Sequence, residues 1–290
     1  MTEKGIMKSM TWILTGWLLM SSYGLPVGEA AAAEPPKDPI LRIETGMHTA
    51  EIRRIGVDAE NRYLVTASDD KTLRVWELST GNLIRTLRIP IGEGNEGKIY
   101  AVAISPDGKT IACGGDTRAG EKFHNIYLFD RESGVLIKRI TGLPGAIFHL
   151  AYAKDGSCLV ACLSGKSGIR LYRTSDYSQV GEDREYGDSS RGADFSDPEV
   201  SGNHSLLVAT SHDGFIRLYA VRAYGSPSLY LLSKVQAKSG KRLVSVSVAP
   251  FGPAGETMIA VGYEFASKLD VYSAGNECDM RLQYLYAPDI

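Results

Sequence analysis

Short runs of alternating apolar and polar residues, each closed by a turn signal, recur along this chain of 290 residues. Examples are Ile55-Gly56-Val57 before Asp58-Ala59-Glu60-Asn61 and Val102-Ala103-Ile104 before Ser105-Pro106-Asp107-Gly108. Leu150-Ala151-Tyr152 before Ala153-Lys154-Asp155-Gly156 and Val246-Ser247-Val248 before Ala249-Pro250-Phe251-Gly252 repeat the arrangement. A two-residue period bounded by Gly, Pro, Asn and Asp predicts β-strands, because successive strand side chains point to opposite faces. After each such strand come a second, more apolar strand, a tight polar turn, a third strand ending in an aromatic, a glycine turn and a fourth strand. The closing aromatics are Trp76, Phe129, Tyr172, Tyr219 and Tyr272, separated by 53, 43, 47 and 53 residues. No stretch of useful length carries the helical period, which argues against alternating βαβ units. The pattern predicts an all-β fold of five four-stranded units at about 44–90, 94–140, 142–183, 186–236 and 238–290.

The clearest unit holds Gly46-Met47-His48, then Ser68-Asp69-Asp70-Lys71-Thr72-Leu73-Arg74-Val75-Trp76-Glu77, then Ser79-Thr80-Gly81. On these residues, and on a repeat length close to the ~40 to 45 of such arrays, the chain beyond residue 40 resembles the WD-repeat (WD40) β-propeller family, of an exported bacterial type. The resemblance implies a hydrogen-bonded network through His48, Ser68, Asp70 and Trp76, which would satisfy a buried imidazole, carboxylate and indole N–H together. A catalytic reading of His48 and Asp70 is set aside, because the same residues have a structural task in that fold. Asp213 repeats the position of Asp70, six residues before its aromatic, whereas Phe123, Lys166 and Ala266 stand there in the other units. Those three blades are therefore expected to rest mainly on apolar packing. Ile40-Leu41-Arg42-Ile43 reads as a strand left over beside five complete blades, so the expectation is an open part of a ring of roughly seven blades, able to self-associate through its sheet edges.

Residues 1–33 differ in kind. Lys4 and Lys8 precede an apolar run from Trp12 to Met20, and small residues lead to Ala31-Ala32-Ala33, the pattern of a signal peptide cleaved after Ala33. The run is about half of the ~20 residues that span a bilayer. Residues 34–39, with three prolines, read as a linker. The expected location is periplasmic or extracellular, with no membrane span after processing. Cys113, Cys158 and Cys162 fall in predicted strands and read as small, unpaired core residues, and Cys278 falls in a predicted turn. The net charge of -2 removes most of the electrostatic motive for nucleic-acid binding.

No metal-ligand spacing or cofactor motif emerges. Asp69-Asp70 and Asp213-Gly214 lack the alternating acids and terminal Glu of a calcium loop. Lys98, after Gly92-Glu93-Gly94-Asn95-Glu96-Gly97, is followed by a strand rather than a helix, which leaves no phosphate cradle. No cofactor, no metal and no catalytic residue are expected. Binding is expected on loops, where the insertions 116–124 and 182–191 supply Arg118, Phe123, Arg184, Tyr186 and Arg191 as contact candidates. The expected function is a non-catalytic scaffold for a protein partner. The alternatives are a propeller enzyme or small-ligand receptor using the central channel, or a periplasmic binding propeller of the TolB type.

Overall fold

The computed structural model describes residues 46–118, 120–197, 204–222, 228–249, 257–275 and 281–288. The predicted signal segment, the linker, the strand Ile40 to Ile43 and Cys278 lie outside the described residues. The described chain forms five antiparallel sheets of four strands. Blade one is β1 (Ile52–Val57), β2 (Tyr63–Ser68), β3 (Thr72–Glu77) and β4 (Leu83–Arg88). Blade two is β5 (Ile99–Ile104), β6 (Thr110–Gly115), β7 (His124–Asp130) and β8 (Leu136–Leu143). Blade three is β9 (Ile147–Tyr152), β10 (Cys158–Leu163), β11 (Ile169–Arg173) and β12 (Gln179–Asp183). Blade four is β13 (Ser190–Phe195), β14 (His204–Ser211), β15 (Phe215–Arg222) and β16 (Ser228–Gln236), and blade five is β17 (Leu243–Val248), β18 (Thr257–Tyr263), β19 (Leu269–Ala274) and β20 (Leu282–Tyr286). Each blade is a meander in which sequence neighbours pair, as short polar connections require.

Burial follows strand position. β10 is buried at all six residues, because a central strand lies between two blades and needs apolar side chains on both faces. β16, an outer strand, is mostly exposed and carries Lys234 on its surface, the kind of charge that discourages edge pairing. Four apolar clusters fill the junctions between consecutive blades. Val65, Val75, Ile104 and Ile111 pack blade one on blade two; Leu207, Tyr219, Val160 and Leu171 pack blade three on blade four. Among the described residues no fifth cluster joins blade five to blade one. On the face of blade one turned away from blade two, Ile55 is 61% and Ile84 43% exposed.

The turn glycines sit where the backbone demands them: Gly108 (φ 73°) and Gly156 (φ 75°) close the Asp-Gly turns after β5 and β9, in the left-handed region that glycine adopts without strain. Cys113, Cys158 and Cys162 are buried and unpaired. Burial pushes the Cys162 thiol up to about 12, so it stays protonated and inert at neutral pH.

Candidate functional site

The third strand of every blade carries a polar side chain two residues before its closing aromatic, hence on the aromatic's own face: Arg74, Tyr127, Arg170, Arg217 and Asp270. All five are buried, from 9% exposed at Arg74 to fully enclosed at Asp270. A buried polar group needs partners; Arg170, Arg217 and Asp270 have them, whereas the Tyr127 hydroxyl and Arg74 Nε have none among the described residues.

In blade one His48 Nδ1 lies 2.8 Å from Asp70 Oδ2 and Nε2 lies 2.7 Å from Thr66 Oγ1, while Trp76 Nε1 donates to the same Thr66 oxygen at 3.0 Å. The carboxylate can only accept, so the proton of neutral His48 is assigned to Nδ1. Thr66 then donates to Nε2 and accepts from the indole. Ser68 stands elsewhere: its hydroxyl donates to the Ala50 carbonyl and accepts the Asp70 amide. Thr66 therefore takes the place that the resemblance assigned to Ser68, and the two lie on one strand two residues apart, facing the same way. Burial opposes ionisation of Asp70, but bonds from Thr72, His48 and the Thr49 amide outweigh it and hold the carboxyl below its ordinary range. Thr66→Val is expected to cost about 2 kcal/mol, since it strands two buried nitrogens, whereas Ser68→Ala should cost about 1 kcal/mol. Urea denaturation of the two variants checks the ordering.

Blade four replaces the imidazole with a guanidinium. Arg217 donates to Asp213 Oδ2 at 2.7 Å, to Ser211 Oγ at 2.9 Å and to the Glu185 carbonyl at 3.1 Å, and it stacks 3.8 Å over the Tyr186 ring. In blade five Asp270 accepts the Ser239 amide at 2.9 Å, the Tyr272 hydroxyl at 3.2 Å and the hydroxyls of Ser239 and Tyr263. In blade three Arg170 pairs with Glu182 at 3.1 Å, and in blade two Asn125 and Thr117 exchange bonds through Asn125 Nδ2 at 2.9 Å. Blades two, three and five, expected to rest mainly on apolar packing, are held by apolar clusters to which these polar contacts are added. Their polar contacts use other residue types, centred on strand positions out of register with Asp70.

A second feature recurs at the opposite edge of each blade. Pairing of the innermost strand with its neighbour slips by one residue near the strand's start, leaving Arg53, Tyr100, Phe148, Arg191 and Val244 without a direct partner. An extra residue of this kind bends the strand and re-aims a side chain. All five line one cavity of about 610 Å³, together with Arg54, Asp116 and Ser245. A second cavity, of about 590 Å³, lies at the other ends of the same five strands and is lined by Asp58, Asp194, Asp197 and Lys154. The inner strands thus surround an axial passage with a basic, aromatic mouth and an acidic mouth.

The five contact candidates separate on this frame. Arg118 and Arg184 are exposed and paired with Asp116 (3.1 Å) and Glu182 (3.0 Å). Phe123 is 42% exposed beneath Lys122. Tyr186 is a correction: it is 4% exposed, packs in the core between blades three and four, and its hydroxyl meets that of Tyr219 at 2.9 Å. Its place in a run of charged residues concealed this, since the run doubles back over the blade junction. Arg191 sits on the bulge of β13 at the basic mouth, not on a free loop. Among the described residues no group of three or more His, Cys, Asp or Glu side chains is placed to hold a metal, and no helix is long and apolar enough to cross a membrane.

Five four-stranded antiparallel sheets around an axial passage, with a closed polar cluster against the third-strand aromatic, define an all-β repeat protein with WD40-type propeller blades. Residues 42–77 and 81–119 match the WD40 family model (WD domain, G-beta repeat), which supports a place among WD40 repeat proteins. The chain is similar to a guanine nucleotide-binding protein subunit beta of Zea mays, 23% identical over 205 residues, covering 70% of this chain and 53% of the relative. It is also similar to F-box/WD repeat-containing protein 4 of Mus musculus, 30% identical over 168 residues, covering 56% of this chain and 38% of that protein. A ribosome biogenesis protein BOP1 homolog of Culex quinquefasciatus is 50% identical over 46 residues, covering 16% of this chain and 5% of its own. The chain spans about half the length of the maize relative and of its rice counterpart.

Proposed function

We propose that this protein is a non-catalytic interaction module that presents the mouths of its propeller to a protein partner. The observation that carries the reading is the state of three buried carboxylates. Asp70, Asp213 and Asp270 are each saturated by donors that lock them in place, as structural groups are, rather than left facing a cavity, as a general base would be. The mouths are cavities of about 590 and 610 Å³ rimmed by charge, which suits an inserted loop. The relatives are in keeping with this, since one is named as a protein subunit and another as a repeat-containing protein. We further propose export, on the strength of the signal-like pattern at residues 1–33, and self-association through the exposed face of blade one that carries Ile55 and Ile84.

The test is capture: the chain, immobilised, is exposed to an envelope fraction, and retained proteins are identified by mass spectrometry against a resin carrying unfolded chain. Saturable retention of the same partner across salt concentrations supports the module. Turnover of a small substrate by the purified chain, with no retained partner, would replace this reading by the enzyme alternative.

A further inference from the structure

The basic mouth is not electrically neutral, and its least compensated cation is Arg54. Arg53 is matched by Asp69 at 2.8 Å and Glu51 at 3.1 Å. Arg191 lies 4.0 Å from Glu264, a carboxylate that Arg242 also holds, and donates to His212 Nε2 at 2.9 Å. Among the described residues Arg54 has no carboxylate partner. One of its terminal nitrogens reaches the Arg191 carbonyl at 3.0 Å and the Val244 carbonyl at 3.5 Å, and its Nε and other terminal nitrogen bond to none of the described residues. The side chain is half-buried at the throat of the mouth. Burial, and then the like charge of Arg191, lower its pKa from the ordinary arginine value, yet a guanidinium keeps its proton. The field is felt deeper in the passage: burial first, and Arg54 after it, bring His149 down to about 3, and this neutral ring donates from Nε2 to the Ala193 carbonyl at 2.9 Å.

Beside this cation stands an apolar wall made by two of the bulges. Tyr100 and Phe148 lie with ring centroids 5.9 Å apart, and Arg191 covers the Phe148 ring at 4.1 Å. A half-buried guanidinium with free donors is a site for an oxyanion, to which a free N–H can donate a charge-assisted hydrogen bond. Glu51, Asp116 and Glu264 stand around the mouth and disfavour a ligand of high negative charge, so a carboxylate suits the site better than a phosphate dianion.

We propose that the basic mouth is a recognition site for an acidic peptide segment of a protein partner, in which the guanidinium of Arg54 binds a side-chain or terminal carboxylate and the Tyr100–Phe148 wall takes a neighbouring apolar side chain. This deepens, and rests on, the interaction-module reading. It is specific to this chain, because it depends on which residues occupy the five bulges rather than on the fold.

The probe is 3-phenylpropionate, a carboxylate next to one aromatic ring and fully ionised at pH 7, with 3-phenylpropionamide and phenyl phosphate as comparisons. Arginine Nε–H signals of the full chain labelled with 15N-arginine are followed during titration, and Arg54→Gln assigns the Arg54 signal. The expected result is a saturable shift of the Arg54 and Arg191 signals by 3-phenylpropionate, at least tenfold weaker with the amide and weaker with phenyl phosphate, and abolished in Arg54→Gln. Equal response to acid and amide, tighter binding of phenyl phosphate, or no saturable shift would each overturn the proposal. The acid–amide comparison is made on the unaltered protein, so it decides the matter even if the variant fails to fold. With a captured partner, Arg54→Gln is expected to weaken retention at least tenfold. Undiminished retention would sink the site while leaving the module standing, and absence of any partner would sink the module itself.

Discussion

Asp213→Ala is expected to destabilise the protein by about 3–5 kcal/mol, the cost of leaving a buried guanidinium without its carboxylate. Arg217 is 1% exposed at its side chain and lies between blades three and four, out of reach of water that could replace Asp213. Removing both charges should recover much of the loss, because the desolvation of Arg217 disappears with its partner: Asp213→Ala with Arg217→Met is expected to be more stable than Asp213→Ala alone. Urea midpoints of the three variants read this directly.

The same pair sets an acid limit. Burial disfavours the Asp213 carboxylate, but bonds from Arg217, Ser211 and two backbone amides outweigh burial and bring its pKa down to about 2, from 3.8 for a free side chain. A carboxyl whose folded pKa is depressed stabilises the fold fully above the unfolded value and loses that contribution as pH falls through the folded one. The gap between unaltered protein and Asp213→Asn should therefore be constant above about pH 4 and shrink by about 2 kcal/mol as pH falls from 4 to 2. A gap independent of pH over that window would mean that the ion pair contributes nothing beyond shape.

Asp270→Ala is expected to cost about 3 kcal/mol or more, for a different reason. Among the described residues no cation pairs with this carboxylate. It is held by the Ser239 amide and by three hydroxyls, and truncation strands at least three donors in the blade-four to blade-five core. Asp270→Asn keeps the shape but turns one acceptor oxygen into a donor facing donors, and should cost about half as much. Tyr263→Phe removes one donor and leaves Asp270 three others, so about 1 kcal/mol is expected. Because the donors outweigh burial and hold Asp270 below its ordinary range, its contribution too is present above 3.8 and fails as pH falls through the lowered value. Native-state hydrogen exchange in β18 and β19 would show whether loss is confined to the last blade, as a repeat architecture with nearest-neighbour junctions predicts.

The strands, their order and the five aromatics were legible in the amino-acid sequence because each is a local property. A two-residue alternation, an Asp-Gly turn and an aromatic every 43 to 53 residues do not depend on what lies across the sheet. Cys113, Cys158 and Cys162 were legible as core residues for the same reason: each lies in a short, largely apolar strand run. The blade-one network was legible except for one oxygen. Ser68 and Thr66 lie on the same face of β2, both within reach of a partner below, and only the entry angle of the chain at His48 decides for Thr66.

Partners across distance and changes of strand register were decided by the tertiary structure alone. Asp270 finds Ser239, 31 residues away, and Tyr186 enters the core through Tyr219, 33 residues away, and neither separation corresponds to any pattern in sequence. The five bulges were invisible for a sharper reason. One extra residue in a strand leaves composition and alternation almost unchanged, yet it turns Arg53, Tyr100, Phe148, Arg191 and Val244 toward a common mouth. Sequence by itself determined that this chain is a string of blades, since hydrophobic period and turn chemistry act over a few residues. Which charges meet, and that Arg54 is left without a carboxylate among the described residues, was decided only when five blades converged on one axis, because electrostatic balance is a property of distances in space.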